Sequence, residues 1–147
     1  MLNEFIKIFE LKSLSEQESE LEKRKIELSK PLLTKLEYIP MMYKWSCELH
    51  VSCGALKKEE ADAKFKREFL FVVLYFYSPE TLAYQKKIKN GVRGVLAEVL
   101  GFTAASGVSN LSLDVATWYG RYKDYQQSID SLFLALKSRL EAEGLIE

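Results

Sequence analysis

"LAEVLGFTAASGVSNL", Leu96 to Leu111, joins two apolar helical patterns through a glycine and a short polar linker. Leu96 and Leu100 before the glycine, and Val108, Leu111 and Val115 after it, recur at steps of three and four, which stack apolar side chains on one helix face. Gly101 stands at the corner, where a left-handed backbone conformation is easiest for a residue without a Cβ. Ala97, four positions earlier, is small enough to let two helices cross closely. The stretch therefore predicts a helix over Val92–Leu100 and a second over about Ser106–Tyr119, packed across a tight turn.

The same periodicity spreads outward. "SPE" at Ser78–Glu80 is a helix start, with a capping residue, a proline suited to the first turn and an acid that complements the dipole. Before it, Lys58 to Tyr77 reads as the longest helix, charged in its first half and apolar all round in its second. An all-apolar half-helix is buried from several sides, although the β-branched and aromatic run Phe71–Tyr77 leaves a strand as the alternative. "MMYKWSCELHVSCG" reads as a helix ending near Gly54. Pro31 reads as a helix start carrying Leu32, Leu33, Leu36 and Ile39, with Pro40 interrupting it. "RYKDYQQSIDSLFLALKSRLEAEG" closes as a long helix with Ile129, Leu132, Phe133, Leu136 and Leu140 on one stripe, stopped by Gly144.

Asn3–Leu11 is a short amphipathic helix. Ser15 with Glu18 three residues later is a capping-box pattern that opens a separate helix, "EQESELEKRKIELSK". Its apolar positions Leu21, Ile26 and Leu28 are sparse. It reads as a solvated helix or as an oligomerising or partner-binding arm over residues 1–30, since the stripe is narrow for a central helix but adequate for a seam.

The whole predicts an all-α fold, a compact multi-helix domain of about six to eight helices over residues 1–147, with a helix-turn-helix-like subdomain at 78–140. Of 147 residues, 21 are basic and 21 acidic, a formal net charge of 0. Binding to an anion by bulk charge is therefore excluded, and any basic surface must be local. One such place exists: "YQKKIKNGVR", residues 84–93, holds Lys86, Lys87, Lys89 and Arg93 and no acid. No signal-peptide core is present, and "FLFVVLYFY" is too short to span a bilayer, so the expected setting is cytoplasmic, with no membrane partner.

Catalytic signatures are lacking: there is no glycine-rich phosphate loop, HExxH or GxSxG, and an enzyme is not expected. Cys47, His50 and Cys53 have zinc-type chemistry at steps of three, but on a helix they spread over roughly 120° and no fourth ligand is evident. No metal, cofactor or small-molecule substrate is expected. Trp118, Tyr119, Tyr122 and Tyr125, beside Arg121 and Lys123, are suited to phosphates or bases, yet their spacing fits the border of a core better.

On Ala97, Gly101 and the flanking apolar positions, Leu96–Leu111 resembles the helix-turn-helix of bacterial and phage regulators, and the whole chain resembles small phage or mobile-element proteins. The resemblance implies double-stranded DNA as partner. Lys86, Lys87, Lys89 and Arg93 are then the backbone contacts, and Ser109, Asn110 and Ser112 face the groove. The second helix carries Asp114 and no base on its outward side, so little base discrimination is expected from it. The competing expectation is a non-enzymatic helical structural or adaptor protein, such as a phage assembly component acting inside the particle. Either role implies a homo-oligomer or a protein partner.

Overall fold

The computed structural model describes residues 2–52 and 58–146, with backbone alone over 50–52 and 58–62. Among the described residues the protein is all-helical, with seven α-helices and no strand. The chain divides into two units, Met1–Lys30 and Pro31–Glu147.

The first unit is a 3-10 turn, Asn3–Phe5, followed by one helix, α1, Ile6–Leu28. The capping-box expectation at Ser15 is corrected here, because α1 runs through it without a break. Leu, Glu and Lys dominate the segment, and three serines cost too little propensity to stop a helix that meets no glycine or proline. The stop comes at Ser29, whose hydroxyl donates back to the Lys25 carbonyl at 2.7 Å. Pro31 then disfavours a helical Lys30.

The second unit opens with an irregular segment instead of the expected helix at Pro31. Its polar groups serve α3, Lys58–Tyr77. The Leu33 N–H donates to the Phe76 carbonyl at 3.0 Å, and the Tyr77 hydroxyl donates to the Lys35 carbonyl at 2.6 Å. A helix leaves its last carbonyls without internal partners, and this segment supplies one. Burial pushes the Tyr77 hydroxyl far above its ordinary value, which keeps it a donor at any physiological pH. Helix α2, Tyr38–Ser52, begins only afterwards. Pro40 thus lies in its first turn, where a missing N–H costs nothing, and does not interrupt it.

Helix α3 is the central element, packed by α2, by α4 (Pro79–Tyr84), by α5 (Val92–Leu100), by α6 (Ala105–Arg121) and by α7 (Lys123–Ala142). That encirclement explains its second half: Phe69, Leu70, Val72, Val73, Leu74 and Phe76 are all buried. Ile39, Met42 and Trp45 of α2 and Ile129, Leu136 and Leu140 of α7 complete the core at helical spacing.

Ser78 precedes α4 as expected, but it makes no side-chain cap. Its buried hydroxyl pairs with that of Thr81 at 2.8 Å. Ser78→Ala leaves the Thr81 hydroxyl buried without that partner, and it is expected to lower unfolding free energy by about 1–2 kcal/mol. Urea denaturation reads this, and Ser78→Ala/Thr81→Val is expected to recover part of the loss, since no orphaned hydroxyl then remains.

Candidate nucleic-acid interface

Helix α5 ends at Gly101, whose φ of +77° places it in the left-handed region. The Phe102 N–H donates to the Ala97 carbonyl at 2.8 Å and the Gly101 N–H to that of Glu98 at 3.3 Å. This pair of bonds is a Schellman stop, which satisfies the open end of α5 and turns the chain. Four residues later α6 leaves at 94° to α5. Phe102 then lies on the first turn of α6, so tightly that a Cβ on Gly107 would come within 3.2 Å of its ring. Leu96, Ala97, Leu100, Val108 and Val115 are buried, and Leu111 is partly so.

The basic loop follows α4, which ends on Gln85 in the left-handed region. Ile88 packs against the core, and its neighbours Lys87 and Lys89 stay exposed. The loop closes on Gly91 at φ +83°, which packs on Leu36 and whose carbonyl accepts the Val95 N–H, the first bond of α5. Lys86 forms an ion pair with Glu80 at 2.7 Å. The hydrogen bond to Glu80, then its charge, pushes the Lys86 ammonium up. Among the described residues Lys87 and Lys89 have no such carboxylate, so the charge open to a ligand is carried by them and by Arg93.

Arg93 reaches across the corner, and its guanidinium donates to the Ser109 hydroxyl at 3.3 Å. The sequence separated these two residues into backbone and groove roles, whereas the fold brings them together. Asn110, next to Ser109, is exposed.

Ser112 is corrected. It is 4% exposed and donates its hydroxyl to the Ser109 carbonyl at 2.6 Å. Val108, Ser112 and Val115 fall on one helical face, which is the face turned to the core, so Ser112 cannot meet a groove. The outward stripe of α6 consists instead of Ser106, Asn110, Leu113, Asp114 and Thr117. Leu113, 45% exposed, was not singled out by sequence, because a lone leucine in an apolar pattern reads as core.

The aromatic group borders the core. Tyr119 stacks on Phe71 of α3 with centroids 4.6 Å apart and donates to Asp130 at 2.8 Å. Trp118 meets Tyr125 edge-on and carries the Arg67 guanidinium 4.9 Å above its ring. These rings are occupied, so only Tyr122, extended between α6 and α7, is well exposed. Cys47 is half-buried and unpaired in any disulfide. The His50 side chain and Cys53 lie outside the described residues, among which no three metal-ligating side chains come together.

No family model, curated protein or solved structure matches the chain. Among the described residues, no single helix is long and apolar enough to cross a membrane.

Proposed function

We propose that the Pro31–Glu147 unit binds double-stranded DNA through its backbone. Lys87, Lys89 and Arg93 take phosphates, and α6 sits at the groove edge with Ser109 and Asn110. The observation that carries this reading is the Arg93–Ser109 bond across the 94° corner, beside a loop without acids. It sets a cation of α5 and the polar start of α6 on one surface, as a helix-turn-helix requires of its two helices. Asn110 can pair with adenine, but Asp114 one turn on repels phosphate, so affinity comes from the backbone and discrimination is small. Such a protein suits an accessory or regulatory role of the kind that phages and mobile elements encode.

Titration of a labelled duplex at low salt tests it. Three phosphate contacts give a log–log salt slope of about −2.7, and reversing Lys87, Lys89 and Arg93 to Glu is expected to weaken binding roughly 100-fold or more and to flatten the slope. Reversing Lys137 on α7 serves as control. Absence of binding at about 50 mM salt, or binding indifferent to the three reversals, overturns the proposal.

A second reading, a helical structural or adaptor protein, is favoured by one observation: Leu113 and Asp114 on the outward stripe of α6 suit a protein surface better than a phosphate. In that case Leu113→Ser weakens a protein complex and leaves duplex binding unchanged.

A further inference from the structure

No residue of α1 is buried. Leu11, Leu14, Leu21 and Leu28 are each more than half exposed. Leu14, Leu21 and Leu28 recur every seven residues, and Leu11 precedes Leu14 by three. These are the a and d positions of one heptad register, whose other core positions are Glu18 and Lys25 between the leucines and Lys7 before them. Leucines so spaced fill a seam between two helices, and packing of such a face contributes more to a helix's stability than intrinsic propensity does.

We propose that α1 pairs antiparallel with α1 of a second copy of this chain. Charge decides both the occupant and the orientation. In a parallel, in-register pair Glu18 meets the partner's Glu18 and Lys25 meets the partner's Lys25, a like-charge clash in two core layers. In the antiparallel register that sets Leu11 opposite the partner's Leu28, Glu18 lies one layer from the partner's Lys25, within reach of two long side chains. This contact occurs twice by symmetry. A lipid surface fits worse: α1 holds six acids against five bases, whereas helices lying on anionic membranes carry bases on their polar face. Polar groups at two core positions lower the strength of the pair and specify its register. The proposal does not rest on the DNA reading, since Lys87, Lys89 and Arg93 lie outside α1.

The test is the mass of the full chain by light scattering over a dilution from about 200 µM to about 1 µM. The expected result is a shift between twice the 17.0 kDa chain mass and that mass itself. Leu14→Glu/Leu21→Glu is expected to stay monomeric throughout. Glu18→Lys alone, or Lys25→Glu alone, is expected to raise the dissociation constant roughly tenfold or more, and Glu18→Lys/Lys25→Glu to restore it. A wild-type chain monomeric at the highest concentration overturns the proposal, whether or not it binds anionic vesicles. So does an oligomer indifferent to the single reversals, or a double variant that fails to recover. Because the substitutions are confined to exposed positions of the first unit, unchanged urea unfolding of the second separates lost pairing from lost folding.

Discussion

Phe76→Ala is expected to lower the unfolding free energy of the Pro31–Glu147 unit by about 3–5 kcal/mol, a large share of what such a unit has. The Phe76 ring is fully buried near the end of α3. It stacks on Phe133 of α7, centroids 5.5 Å apart, and meets Tyr75 edge-on at 5.7 Å. Its carbonyl receives the Leu33 N–H, so the residue joins α3, α7 and the segment after Pro31 at one point. Truncation removes the transfer energy of the ring and leaves a cavity that three elements must close together. Tyr75→Ala is the comparison: its ring also touches Phe133, at 5.1 Å, but it is 43% exposed and the loss is expected to be about 1 kcal/mol. Urea denaturation monitored by Trp45 and Trp118 fluorescence reads both. Equal effects of the two substitutions would contradict the placement of α7 on α3.

Gly91→Val is expected to cost about 2–4 kcal/mol. At φ +83° a side chain with a Cβ is strained by roughly 1–2 kcal/mol, and a β-branched one more. The added Cβ would also stand 2.6 Å from Leu36 Cδ1. That methyl must rotate away, at an overpacking cost of about 1 kcal/mol or more. Gly94, the third residue of α5, supplies the contrast. Nothing lies within 4 Å of its position, and Gly94→Ala is expected to gain about 0.5–1 kcal/mol from helix propensity alone. The two substitutions separate stability from binding. Gly91 holds the Val92–Lys89 turn and the start of α5, so Gly91→Val displaces Lys89 and Arg93 and is expected to weaken duplex binding. Gly94→Ala leaves both in place. Thermal melts and the duplex titration on the same samples check this, and a Gly91→Val chain as stable as wild type removes the argument.

The helices that the sequence shows most clearly are those whose ends are set by near neighbours. α3 over Lys58–Tyr77 and α5 over Val92–Leu100 follow the expected limits. Gly101 and Gly144 both stop their helices in the left-handed region. A Schellman stop involves only six consecutive residues, so its chemistry is local and legible. The misreadings share an opposite cause. Ser15 with Glu18 has the form of a cap, but a cap acts only where the preceding residues leave the helix, and strong helix formers on both sides prevent that. Pro31 has the form of a helix start, but the N–H and carbonyl groups that follow it are taken by Phe76 and Tyr77, more than forty residues away.

At the candidate site the basic residues were legible from composition, because an acid-free run is visible without a fold. Their availability was not. Lys86 is held by Glu80, a carboxylate on the preceding helix, while Lys87 and Lys89 stand on either side of the anchor Ile88. Ser112 shows the same limit. Its type suits a groove, but its helical phase puts it with Val108 and Val115, and a polar hydroxyl buried there is satisfied by its own backbone. The sequence by itself determined that this protein is all-helical, where most helices lie and how the α5–α6 corner turns, since periodicity and glycine stereochemistry act over a few residues. Only the tertiary structure decided which face of α6 meets solvent, which lysine is already paired and that Arg93 crosses to Ser109, because burial and ion pairing depend on groups that the chain brings together only by folding.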